Sequence, residues 1–124
     1  MQTQKANTFT QLHTSNTPLT LVNIWDAGGA KLAEKSGAKA IATSSWAVAA
    51  ANGFSDGEAL PFDKVLENLR NICAATSLPV SLDMEAGYSE DLSQLSENIK
   101  AVIKAGAIGI NFEDQQIGAE GLYS

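Results

Sequence analysis

Asp83 and Glu85 close the short apolar run Val80-Ser81-Leu82, and Gly87-Tyr88 follow at once. Strand residues at i and i+2 share a face, with Cα atoms about 6–7 Å apart, so both carboxylates are expected on one side of the chain. Two unpaired anions in so small a volume repel and raise each other's pKa. A hard divalent cation removes that repulsion: Mg²⁺ takes oxygen ligands, usually carboxylates plus water, and Mn²⁺ can stand in for it. Glu113, at the end of the run Ile108–Phe112, is placed to complete the set. The other reading open to these acids is helix capping or plain solvation, because acids are common at helix starts. Thr43-Ser44-Ser45-Trp46 offers the complementary chemistry. Backbone N–H groups and small hydroxyls at a helix start suit a substrate carboxylate or phosphate, or else cap their own helix. Asp56 sits in a loop beside Gly57 and reads first as turn chemistry. Gly28-Gly29 carries no G-x-G-x-x-G and no phosphate-loop lysine, so its phosphate signal is weak.

The elements that must position these residues alternate along the chain. A helix near Ala6–His13 precedes a strand over Leu19–Ile24. A helix from Gly28 to about Ser36 stops at Gly37, and Ala38–Ala42 is the second strand. A short helix over Ala47–Asn52 leads through the loop Gly53–Glu58 to a helix opened by Pro61. Phe62, Val65, Leu66, Leu69, Ile72 and Cys73 give that helix one apolar face. Val80–Leu82 is the third strand. Leu92, Leu95, Ile99, Val102 and Ile103 mark the next helix, stopped by Gly106, and Ile108–Phe112 is the fourth strand. The order β-α-β-α-β-α-β predicts a parallel sheet. Lys35–Ile41 and Lys104–Ile110 echo one another as helix end, glycine and strand start. All four strands end in polar or aromatic residues, the end at which parallel α/β folds build their sites.

The 124 residues, 44% of them hydrophobic, suit one domain with a real core. A net charge of −6 without basic clusters argues against nucleic acid and anionic membranes as partners. No stretch approaches the length of a membrane span, and the polar N-terminus does not read as a secretory signal. The single Cys73 excludes an internal disulfide framework and fits a reducing cytoplasm. It reads as a small buried hydrophobe, and His13 as a surface or packing residue rather than a catalytic one. Trp25 and Trp46 are expected to line the pocket or plug its mouth.

Five blocks carry a resemblance: Leu21–Gly28, Ile41–Ala49, Gly53–Glu58, Asp83–Tyr88 and Gly109–Asp114. In order and spacing they resemble the isocitrate lyase and phosphoenolpyruvate mutase superfamily, from about Phe9 to Tyr123. The resemblance implies a (β/α)₈ barrel, assembled as dimers or tetramers with an exchanged helix, that binds Mg²⁺ and α-keto or α-hydroxy carboxylic acids. It implies making or breaking a C–C or P–C bond through an enolate-like pyruvate species. By position, Asp83 resembles the principal metal-site aspartate. Glu85 and Glu113 resemble the acids that hold the metal largely through its waters. Ser44, Ser45 and Trp46 resemble the segment that binds the substrate carboxylate, with Asp83 beside it, and Asp56 resembles the loop aspartate close to the reacting group.

The sequence also departs from that pattern. The usual aspartate-x-aspartate is Asp83-x-Glu85, and bulky Trp46 follows the serines where small residues are usual. After Glu113-Asp114 the resemblance implies a gating loop over residues 115–124. That segment has no Lys, Cys or His, which argues against cysteine-dependent cleavage of isocitrate or methylisocitrate. A full barrel needs about 250 residues. The chain is therefore expected to form the first four βα units, a half barrel over 1–124, associating with a second copy or with a further half. Two rival readings stand beside the enzyme: a catalytically incomplete binding or assembly module, and a receiver-like Mg²⁺-binding signalling domain.

Overall fold

The computed structural model describes residues 2–119 and 121–123. Its elements are α1 (Gln2–His13), β1 (Val22–Ile24), α2 (Ala27–Lys35), β2 (Ile41–Thr43), α3 (Ser45–Ala51), α4 (Phe62–Ala75), β3 (Val80–Asp83), α5 (Leu92–Ala105) and β4 (Gly109–Asn111). β1, β2 and β4 are shorter than their apolar runs suggest, whereas β3 runs one residue past its own, to Asp83. Leu19–Leu21 stays outside β1 because β1 is an edge strand, paired on one side only.

The sheet is parallel throughout, in the order β1-β2-β3-β4. A receiver-type doubly wound sheet inserts its first strand between the second and third. The sequential order excludes that alternative. Successive helices pack side by side, α2 on α4 and α4 on α5.

Strand alternation then decides what faces what. In β3, Val80 and Leu82 enter the core with Leu69 and Ile72 of α4 and Val102 of α5. Ser81 and Asp83 face the other way, onto an open surface shared with Asn23 of β1 and Asn111 of β4. The face of α4 is as its spacing predicts: Val65, Leu66, Leu69 and Ile72 are buried, and Phe62 and Cys73 pack against them. Burial also pushes the Cys73 thiol up from its ordinary pKa. The stripe of α5 is narrower than its spacing predicts. Leu92, at the first helical position, is 79% exposed and Ile103 is 53% exposed, while Asn98 is buried.

The echo between the second and fourth units is structural. Gly37 (φ 92°) and Gly106 (φ 115°) both end helices in the left-handed conformation ahead of a strand. At Gly106 a side chain is disfavoured twice, by φ and by Cys73 Cβ 3.0 Å from where a Cβ would stand.

α1 lies across the amino ends of the strands. Gln2 Nε2 donates to the carbonyls of Ile103 (2.7 Å) and Ala107 (3.1 Å), and Lys5 Nζ to that of Thr76 (3.2 Å). Phe9 sits against Gly109, where a Cβ would fall 2.8 Å from its ring. His13 is exposed and stacks edge-on with Phe9 at 4.3 Å, and both rings border the same open face of the sheet as Asp83. Among the described residues, no helix is long and apolar enough to cross a membrane.

Candidate active site

The carboxyl ends of the strands gather the polar residues, and local chemistry explains each position. Asp26, after β1, caps α2, its Oδ1 accepting from Gly29 N–H at 2.6 Å. The carbonyl of Trp25 accepts from Asn68 Nδ2 of α4 at 2.9 Å, which ties the end of β1 to the helix layer. After β2, Ser44 caps α3 by accepting from Ala47 N–H at 3.3 Å. Trp46 stands on the first turn of α3 with 65% of its surface exposed.

Asp83 ends β3 and reaches the start of α3. Its Oδ2 accepts from Ser45 N–H at 3.1 Å, and its own N–H donates to Thr43 Oγ1 at 2.9 Å. Glu85 N–H lies 3.4 Å from Asp83 Oδ1. The carboxylate is thus oriented from two sides and still keeps unused lone pairs. The side chain lines the open face of the sheet beside Asn23, Ser81 and Asn111.

Glu85 behaves differently from its spacing. β3 stops at Asp83, and Glu85 has left-handed backbone geometry (φ 49°), so the alternation that would align the two carboxylates ends before Glu85 is reached. Glu85 is 7% exposed, and its carboxylate accepts from Glu58 N–H at 2.8 Å and from Tyr88 OH at 3.3 Å. Burial raises its pKa above the ordinary value. The Glu58 N–H pulls it down, the Asp56 charge raises it again, and the Tyr88 hydroxyl and the Glu58 charge act more weakly in opposite directions. The phenol of Tyr88 is pushed up too, first by burial and then by the Glu85 charge.

Asp56 is exposed on the loop before α4, close enough for its charge to act on Glu85. Glu113 follows β4, and its N–H donates to the carbonyl of Glu85 at 2.8 Å, but its side chain is exposed. Among the described residues no three His, Cys, Asp or Glu side chains stand together closely enough to hold a metal ion. The three-carboxylate cluster expected of Asp83, Glu85 and Glu113 is therefore not assembled. Glu85 turns into the protein and Glu113 turns to solvent.

The segment after Asp114 folds back on itself. Gln115 and Leu122 form an antiparallel bridge, and Tyr123 N–H donates to the Asp114 carbonyl at 2.7 Å. Ile117 reaches the Gly57 loop, and partial burial with the Glu90 and Glu58 carboxylates raises the Tyr123 pKa. Glu120 and Ser124, which fall in the expected gating segment, lie outside the described residues.

Sequence reasoning missed Glu58, Tyr88 and Asn98 as parts of this site. Glu58 gives its N–H to Glu85, and its Oε1 accepts from Tyr88 N–H at 2.8 Å. Asn98 Nδ2 donates to the Gly87 carbonyl at 2.9 Å from within the helix layer. A signal existed for Asn98: it is an amide set among the apolar positions Leu95, Ile99 and Val102 of α5. For Glu58 and Tyr88 the signal was weaker, a Gly-x pair in each of two loops.

The comparisons with known proteins agree with this architecture. The profile of the family "phosphoenolpyruvate phosphomutase" matches residues 9–124. The chain is 36% identical over 108 residues to 2-methylisocitrate lyase of Escherichia coli K12, covering 86% of this chain and 36% of that protein. It is similar to a structure from Burkholderia cenocepacia J2315 assigned as a phosphonomutase, with a TM-score of 0.95 and 44% identity, across 100% of this chain and 49% of that one. A phosphonopyruvate hydrolase in complex with oxalate and Mg²⁺ shares the fold, with a TM-score of 0.87 and 24% identity over 94% of this chain and 41% of that one. The chain thus spans half or less of the length of these relatives. Its four parallel βα units correspond to about half of their (β/α)₈ barrel. With the family profile matched over nearly the whole sequence and the fold superposing throughout, the chain belongs to the phosphoenolpyruvate mutase/isocitrate lyase family.

Proposed function

We propose that this chain carries the first half of the active site of a Mg²⁺-dependent lyase or mutase. Its substrate is a small α-keto or α-hydroxy carboxylic acid, and the bond made or broken is C–C or P–C. The observation that carries this reading is Asp83: a carboxylate at the end of a central strand, oriented by the N–H groups of Ser45 and Glu85 while its backbone N–H is held by the Thr43 hydroxyl, with spare lone pairs on the open face of the sheet.

The donor set fits Mg²⁺ in its usual manner, one or two carboxylates with the remaining positions filled by water and substrate. Asp83 would be the direct ligand and Glu113, exposed just beyond β4, would act on the ion through its waters, while Glu85, its two oxygens taken by Glu58 N–H and Tyr88 OH, would shape the site from behind. When bound, such an ion stabilises negative charge developing on the substrate's α-oxygen as a Lewis acid. The chain's own residues do the rest. Ser45 N–H orients Asp83, and Ser44, Ser45 and Trp46 at the start of α3 form the wall against which the substrate carboxylate lies. Asp56, on the loop above, approaches the reacting group. Residues 115–124 serve as the start of a segment that gates this end of the sheet.

The relatives named for methylisocitrate cleavage raise the question of that substrate. The stretch Gln115–Ser124 offers no Cys, Lys or His as a proton donor, so we favour a substrate whose bond change needs none from this segment.

Titration calorimetry with oxalate, a planar mimic of an enolate, tests the proposal. Binding is expected in Mg²⁺, absent in chelator, and lost in Asp83→Ala. Binding indifferent to Mg²⁺, or equal in Asp83→Ala, would refute it. One observation favours a second reading, that of an assembly module: Val22 of β1 and Ile110 of β4 are about 40% exposed on the two unpaired edges of the sheet. Such edges invite pairing, with a second copy or with further βα units. Sedimentation that shows only monomer counts against that association.

A further inference from the structure

Among the described residues only three non-glycine residues have left-handed backbone geometry: Glu58 (φ 59°), Glu85 (φ 49°) and Tyr88 (φ 61°). They come from two loops far apart in sequence, and they are bonded to one another. Glu58 N–H donates to Glu85 Oε2 (2.8 Å), Tyr88 N–H donates to Glu58 Oε1 (2.8 Å), and Tyr88 OH donates to Glu85 Oε1 (3.3 Å). A glycine in the same conformation precedes two of them, Gly57 (φ 84°) and Gly87 (φ 96°). Two Gly-x pairs of like geometry therefore face each other, each presenting an N–H to a carboxylate across the gap. An L-residue keeps left-handed geometry only where its surroundings over-determine it, and such residues concentrate at functional sites. The outer loop is exposed over residues 51–56, is tied to α3 at its start by Phe54 N–H on the Ala49 carbonyl (2.9 Å), and re-enters the core at Leu60. The inner turn is anchored, with the Tyr88 ring 5.0 Å from Phe62 and the Gly87 carbonyl held by Asn98.

We propose that Glu58 and Tyr88 are positioning residues: with the buried Glu85 carboxylate they latch the loop carrying Asp56 onto the turn that follows Asp83. The latch sets where Asp56 stands relative to Asp83 and touches no substrate itself. Its bearing on ligand binding rests on the proposed function; its existence does not.

The test is amide hydrogen exchange together with calorimetry of oxalate in Mg²⁺, on the unsubstituted protein, Glu58→Ala and Glu58→Gln. Alanine removes the acceptor of Tyr88 N–H, whereas glutamine keeps an oxygen there. Exchange at the Tyr88 amide and across 55–58 should quicken about tenfold in Glu58→Ala, oxalate affinity should fall by a similar factor, and Glu58→Gln should restore both. Unchanged exchange in Glu58→Ala overturns the latch. Equal quickening in Val80–Leu82 and along α4 overturns it too, because the role is then general stability. Local quickening with unaltered oxalate affinity overturns the positioning role. If the unsubstituted protein binds no oxalate while exchange behaves as expected, the functional reading falls and the latch stands. Should Glu58→Ala not fold, Tyr88→Phe decides, since it keeps the ring and removes only the hydroxyl. Faster exchange at the Glu58 amide supports the latch, and wild-type exchange there overturns it.

Discussion

The end of β3 and the turn after it lie two residues apart and each supplies one carboxylate, yet the protein treats the two in opposite ways. Asp83 is oriented and left partly open: its oxygens meet only the backbone N–H groups of Ser45 and, at 3.4 Å, Glu85, and the half-buried side chain borders the open face of the sheet. Glu85 is enclosed, with both oxygens accepting from protein donors and its backbone in a conformation that costs about 1–2 kcal/mol. The difference is set by where the strand stops. Two more strand residues would have kept the alternation through Glu85 and brought both acids to one face. Because β3 ends at Asp83, Glu85 enters a turn that carries its carboxylate toward Glu58 and Tyr88. Two acids at i and i+2 therefore divide the labour, one available to ligands and the other committed to geometry.

Four experiments press on that division. Asp83→Ala should weaken oxalate binding in Mg²⁺ by about a hundredfold or more while leaving urea stability within about 0.5 kcal/mol. A comparable loss of stability would mean that Asp83 is as structural as Glu85. Gly87→Ala should cost about 2 kcal/mol in urea denaturation, since its Cβ would lie 2.3 Å from Leu95 Cδ1 and 2.9 Å from the Phe112 ring at φ 96°. The folded fraction of that variant should still bind through Asp83. Tyr88→Phe removes one hydrogen bond to Glu85 and should cost about 1 kcal/mol in the same assay. The smallest effect concerns pH, measured without metal. The folded pKa of Glu85 is raised above its unfolded value, so its contribution to stability is fully present below the unfolded pKa. It is lost as pH rises through the folded pKa. Glu85→Gln keeps an acceptor for Glu58 N–H and should flatten that part of the profile. A Glu85→Gln profile parallel to wild type would show that this carboxylate is effectively in water.

Much of the fold was legible because its signals are local. The spacing of Val65, Leu66, Leu69 and Ile72 fixed α4, Gly37 and Gly106 fixed two helix ends, and the alternation of strand and helix implied the parallel sheet. Asp83 was legible as a strand-end acid. What stayed hidden was the fate of Glu85, because a strand end moved by one residue turns a side chain around and no propensity resolves that. The partnership of Glu58 with Tyr88 was hidden for another reason. It joins residues thirty positions apart, and neither has an unusual neighbourhood beyond a preceding glycine. Leu92 and Ile103 misled in the opposite sense: they match the helical period of α5, yet that face is only partly covered.

The position of α1 across the amino ends of the strands bears on how the chain acquires its structure. Gln2 bonds to carbonyls 101 and 105 residues further on, and Phe9 rests on Gly109. A ribosome makes α1 first, but its seat exists only once β4 has been synthesised. Contacts that span so much of the chain must wait for a large loop to close and slow folding accordingly. During translation α1 is therefore an unseated helix, and its docking is a late event that reports formation of β4. A helix made well before its seat is thus among the last of these elements to settle.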